Sequence, residues 1–121
     1  MEPPRNLREL VPFREVLAER ALVFTRPDGS TCALTVQVGQ PVPDPEGSGN
    51  AFCPFRLLGF ENEHGFVAGG VDSLQALVLG LEILTDYVGA QARAQGGTIS
   101  WLGAAHLGFP ALGASRKPPE E

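Results

Sequence analysis

Basic charge is scarce in this chain. Of its nine basic residues only Lys117 is a lysine, and fourteen acidic residues leave a net charge of −5. A field of that sign repels phosphate backbones, whose attraction to Lys and Arg supplies most non-specific nucleic-acid affinity, so no nucleic-acid partner is expected. Long apolar runs are missing too. No stretch approaches the roughly 18 residues a bilayer span requires, and the opening MEPPRNLRELVPF lacks the apolar core of a signal peptide. No membrane partner is expected, and a cytoplasmic location follows by default.

Metal-binding and nucleophilic residue types are as sparse. Two cysteines, Cys32 and Cys53, are expected to stay reduced in a cytoplasmic setting. With His64 and His106 they make a formal Cys2His2 set. Structural zinc ligands usually pair roughly two to five residues apart, whereas the nearest two here, Cys53 and His64, are eleven apart, so no metal is expected. Gly69 and Gly70 precede a helix start without P-loop spacing or a following lysine, and Asp72 would repel a phosphate there. They read as the turn into the helix, and no cofactor is implied.

What the chain does have suits one ordinary domain. Its 121 residues are 43% hydrophobic and 19% charged, a globular composition. Residues 1–12 and 111–121 offer little to bury and are expected to be mobile, which leaves a domain over 13–110. The bias toward Ala, Gly, Pro and Arg hints at a GC-rich bacterial origin.

Local patterns order this domain. EVLAERALVFT favours strand, and Asp28-Gly29 after it signals a hairpin, because glycine tolerates positive φ. In TCALTVQV, Cys32, Leu34, Val36 and Val38 alternate with Thr31, Ala33, Thr35 and Gln37, a period of two with one apolar face. GQPVPDPEGSGN, residues 39–50, is expected to be an exposed irregular connection. NAFCPFRLLGF makes a third strand, with Cys53, Phe55 and Leu57 on one face and Phe52, Arg56, Leu58 and Phe60 on the other. GFVAGGV and TISWLG are candidates for two short additional strands.

DSLQALVLGLEILTDYVGAQARAQGG is the strongest helix. Asp72 caps it, Gln75 three residues later completes a capping box, and Gly96-Gly97 stops it. Leu74, Leu77, Val78, Leu81, Leu84 and Val88 recur at three and four, which predicts the sheet-packing face. The predicted fold class is α+β, an antiparallel sheet of three to five strands with one long helix across one face.

Three stretches taken together, CPF before an apolar strand, GVDSLQALVLGLEIL at the helix start, and WLG with LGFP downstream, resemble a group of small bacterial proteins classed as a domain of unknown function. The likeness spans Val16 to Pro110. It implies a shared fold and a bacterial origin, and it carries no catalytic residue.

No side-chain constellation demands an enzyme. Cys53 falls in an apolar alternation and reads as a buried strand residue. Glu61, Glu63 and His64 read as a solvated turn, and Glu82 with Asp86 as the wet stripe of the helix. The enzymatic alternative is a small hydrolase or transferase using Cys53, Glu61 or His64.

What remains is surplus apolar surface. Phe52, Leu58 and Phe60 lie on the second face of the third strand, and Leu79, Ile83 and Tyr87 on the second side of the helix. Trp101, Leu107 and Phe109 are available to cover one of these surfaces. A homodimer or another protein would cover the other. The leading expectation is a non-enzymatic binding or interaction module, and an immunity- or antitoxin-like protein masking a basic partner is a further alternative that fits the charge.

Overall fold

Alternation builds the sheet first. In the computed structural model, which describes residues 6–110, α1 (Leu7–Leu10) precedes β1 (Val16–Thr25), β2 (Thr31–Gly39) and β3 (Val42–Pro43). β4 (Ala51–Leu58), β5 (His64–Gly70), α2 (Ser73–Ala94) and β6 (Thr98–Ser100) follow. The fold is α+β. All strand pairings are antiparallel, in a six-stranded sheet of order β3-β4-β2-β1-β6 with β5 on the free side of β4.

The β1–β2 hairpin closes through a loop in which Gly29 adopts φ 87° and donates its amide to Arg26 O, while Asp28 Oδ1 accepts the amide and hydroxyl of Ser30. Those hydrogen bonds, the hydroxyl's foremost, hold the exposed Asp28 carboxyl below its ordinary pKa. In β2, Leu34, Val36 and Val38 are buried. The sixth strand is the unpredicted one. Val42 and Pro43, inside the stretch read as irregular, pair with Phe52 and Ala51, so β3 resumes the path of β2 beside β4 after a break at residues 40–41. Pro54 sits at that break, past the last β2 pair at Phe55 and before the first β3 pair at Phe52. A residue without an amide proton is tolerated where the ladder is already interrupted.

Gly69 and Gly70 belong to β5, not to a turn. They pair with Phe52 and Ala51, and the Phe52 ring lies over the bare Gly69 backbone, 3.2 Å from where a Cβ would stand. The turn into α2 is Val71-Asp72. Asp72 Oδ1 accepts from Gln75 N at 2.8 Å, and Gln75 Oε1 accepts from Val71 N at 2.7 Å. At the far end Gly96, at φ 80°, donates to Arg93 O and Gly97 donates to Ala92 O, which closes a Schellman motif. An Asp72→Ala change, by leaving the Gln75 amide unpaired, is expected to cost about 1 kcal/mol in urea unfolding without altering the fold.

The core lies between α2 and the face of the sheet that carries Leu22, Phe24, Leu34, Val36, Cys53, Phe55 and Leu57. Of the predicted stripe, Leu84 and Val88 are buried and Leu77 and Leu81 pack against the core, but the stripe is turned so that Leu74 misses the sheet. Ala76, Gly80, Leu84, Val88 and Ala92 are buried, whereas Leu74 is 67% exposed. Close approach over the Phe55 ring requires small residues, and Gly80 lies directly on that ring. Glu82, expected on the wet stripe, is buried.

Phe60 is also on the other side from the one its parity predicts. Gly59 at φ 123° breaks the alternation, and Phe60 turns onto Phe24, with ring centroids 5.0 Å apart. Beside α2, Leu107 and Phe109 fill the remainder of the inner layer, with Trp101 packed against them. Arg20 fastens this segment. Its guanidinium stacks 3.9 Å from the Trp101 ring and donates to Leu107 O at 3.1 Å. Residues 111–121, expected to be mobile, lie outside the described residues, as do residues 1–5.

Candidate functional site

The outer face of the sheet, opposite α2, carries the most organised polar surface. Glu19, Gln37 and Arg56 stand side by side on β1, β2 and β4. Gln37 Nε2 donates to Glu19 Oε2 at 2.9 Å, and Arg56 Nε donates to Gln37 Oε1 at 2.7 Å. Phe13 lies against the Arg56 guanidinium at 4.0 Å, and Glu63 approaches it at 3.9 Å. The hydrogen bond and the ring contact set this guanidinium's direction, which a long exposed side chain does not do by itself.

The N-terminal segment builds the wall of the site. Asn6 Oδ1 caps α1 by accepting from Arg8 N at 3.1 Å, and Val11 is buried where the segment crosses the sheet. Between this segment and β4–β5 runs a cleft of about 490 Å³, lined by Arg8, Phe13, Pro54, Arg56, Glu63 and Val67 among others. Gly65 is the cross-strand partner of Arg56. The Phe55 carbonyl oxygen closes the place a Gly65 Cβ would occupy, and Arg8 Nη2 stands 3.4 Å from that point. Across the strand edge, Tyr87 donates its hydroxyl to Gly65 O at 3.2 Å. Burial raises the Tyr87 phenol, against the opposing influence of nearby Arg8 and of that hydrogen bond.

Apolar residues singled out from the sequence do not form one surface. Phe52 is buried over Gly69, and Phe60 is packed on the core. Leu58 is half-buried on the outer sheet face, paired with Thr35. Tyr87 packs on Phe66 at 4.8 Å, while Leu79 is half-buried and Ile83 is exposed on α2. Arg8 and Phe13 escaped the sequence reading. Asn6 followed three residues later by Glu9 is the capping signal that marks α1.

The groups of the enzymatic alternative stand apart. Cys53 is fully buried, donates its thiol to Gly39 O at 3.4 Å and faces Ala68 across the sheet. His64 pairs with Leu57, four residues further along β4, roughly 13 Å at strand rise. Its ring meets the edge of Phe60 at 5.9 Å, and its buried Nε2 has no hydrogen-bond partner among the described residues. Glu61 is exposed in the turn. His106 Nδ1 accepts the Gly108 amide in a local turn. Both cysteines are free thiols, and among the described residues no group of three or more His, Cys, Asp and Glu is placed to hold a metal ion.

Burial pushes the Cys53 thiol from 9.0 up to about 12. At neutral pH Cys53 is expected to resist iodoacetamide until the protein unfolds, while the half-buried Cys32 reacts first, as mass spectrometry of the labelled peptides will show. The same shift acts on stability. Between pH 9 and 12 the unfolded thiol ionises and the native one does not, so this group lowers stability as pH rises, at about 1.4 kcal/mol per pH unit. A Cys53→Val variant should lose that slope.

A protein-family model described as Domain of unknown function (DUF6968) matches residues 18–111, and the chain belongs to that family. Neither the curated proteins nor the solved structures contain a match to this chain. Among the described residues no helix is long and apolar enough to cross a membrane.

Proposed function

We propose that this member of the family is a non-enzymatic binding module whose ligand seats in the outer-face cleft between the N-terminal segment and β4–β5. The observation that carries this reading is the arrangement of Arg56, whose guanidinium is directed by Gln37 and Phe13 while lining a concave site. Polar groups held in fixed directions within a concave site are what orients a ligand and makes its binding specific. The separation of Cys53 from His64 supports a binding role over a hydrolytic one. The test is a ligand screen by amide NMR on the full chain. Compounds that shift Phe13, Gly65 and Val67 together support the reading, and a screen in which those amides never move overturns it.

A second reading, self-association, is favoured by the outward side of α2. Ile83 is 38% exposed, and Asp86 and Arg93 share its side at a spacing of seven residues. Two such helices packed antiparallel would set Asp86 of each against Arg93 of the other. Light scattering across a concentration range should then give a dimer that Ile83→Glu dissociates. A monomeric mass at all concentrations overturns this reading.

A further inference from the structure

We infer that the cleft is a carboxylate site, selective for a monoanion attached to an apolar or aromatic body. This rests on the reading of the cleft as a ligand site and specifies its chemistry. Arg8 and Arg56 bring two of the chain's nine basic side chains to one place in a protein of net charge −5. Both line the cleft, and Arg8 Nη2 lies 3.4 Å from the point a Cβ on Gly65 would take, on the strand paired with that of Arg56. Arg56 already uses Nε on Gln37, and its contact with Glu63 is 3.9 Å long between side chains 28% and 52% exposed, so its outer nitrogens keep donors to offer. Arg8 makes none of the described side-chain hydrogen bonds or ion pairs, although its guanidinium stands over the strand. Planar guanidinium forks match the two oxygens of a carboxylate.

The acidic residues of the cleft decide between anions. Glu9 and Glu63 also line it, so the four charges sum to zero. A monoanion that displaces Glu63 from Arg56 gains two cations and meets limited repulsion. A phosphate, close to doubly charged at neutral pH, meets both carboxylates at full strength. Phe13, Pro54 and Val67 present apolar surface to the remainder of the ligand. The carboxylate arises either in a free organic acid or at a peptide C-terminus, and the experiment separates the two.

The full-length protein is titrated with four probes in amide NMR: 3-phenylpropionate, its primary amide, the tripeptide Gly-Gly-Phe with a free C-terminus, and the same tripeptide amidated. Both acids are expected to give saturable shifts at Gly65, Arg56 and Phe13 with Kd of about a millimolar, and neither amide should. Arg8→Met, at an exposed position, should leave the Tm unchanged and weaken both acids roughly tenfold. Arg56→Lys keeps the charge and loses the fork, and should weaken them as well. Tighter binding of the tripeptide assigns the carboxylate to a protein terminus, and equal or tighter binding of phenylpropionate assigns it to a free acid. Acids and amides that bind alike, or acids unaffected by Arg8→Met, overturn the inference. Neutral and cationic fragments run in the same series separate its failure from that of the parent reading. Shifts of the cleft amides by those fragments alone overturn the carboxylate and keep the site, and silence with every compound overturns both.

Discussion

Replacing Gly80 by valine is expected to cost about 3 kcal/mol or more, a large share of the roughly 5–15 kcal/mol by which a domain of this size is stable. Two effects oppose each other at this position. A glycine inside a helix costs roughly 1 kcal/mol relative to alanine, so propensity alone predicts that adding a side chain stabilises α2. Packing predicts the opposite. Gly80 is buried, and a Cβ built on it would overlap the edge of the Phe55 ring. That ring has little room to withdraw, since it is stacked on Phe66 with centroids 4.8 Å apart and an interplanar angle of 3°, and Phe66 in turn packs on Tyr87. Either the helix lifts from the sheet or the aromatic stack breaks. Urea unfolding of Gly80→Ala, Gly80→Val and the double variant Gly80→Val/Phe55→Ala tests which effect wins. The double variant should recover part of the loss, because its cavity receives the added methyls. A Gly80→Ala protein that gains stability by the full helix-propensity increment would show that the seam is looser than described.

Arg20→Ala is expected to cost about 2–4 kcal/mol and to release the segment that completes the inner layer. Arg20 makes three contacts with that segment. Its guanidinium lies 3.9 Å from the Trp101 ring and 5.2 Å from that of Phe109, and its Nη1 donates to Leu107 O. Gly108, at φ 78°, permits the close pass of the chain beneath Trp101 and Arg20. Without the arginine, Leu107 and Phe109 keep their apolar contacts and lose the group that orients the backbone between them. Trp101 is the chain's single tryptophan, so its emission reports the segment directly. The variant should show a red-shifted spectrum in native buffer and a lower urea midpoint. Arg20→Lys should fall between, because a lysine cannot stack on the ring and reach the carbonyl with the same rigid fork. An unchanged spectrum in Arg20→Ala would assign the fastening to Leu107 and Phe109 alone.

The cleft was harder to foresee than the fold, for a reason visible in its residues. Arg56 reads in the sequence as one polar position in an apolar strand, and Phe13 as an isolated aromatic near a proline-rich end. Nothing local says that a segment more than forty residues upstream lies across that strand. Val11 shows the same limit. It sits in a stretch with little to bury, and it is 2% exposed because the outer sheet face receives it.

The sequence by itself determined whatever depends on neighbours along the chain. The period of two in β2, the glycine at the β1–β2 loop, and the bounds of α2 from Asp72, Gln75 and Gly96-Gly97 all act within a few residues, where backbone sterics and capping hydrogen bonds are decided. Only the tertiary structure decided which way elements face. Hydrophobicity placed Leu77, Leu81, Leu84 and Val88 on the packed side but added Leu74 and missed Ala76 and Gly80, which the volume of Phe55 admits. The reason is that what fits against a sheet is set by shape across the interface as well as by the apolarity of one partner. Gly59 likewise carried Phe60 onto Phe24 against its parity, since a single positive φ redirects the chain and alternation holds only while the strand does.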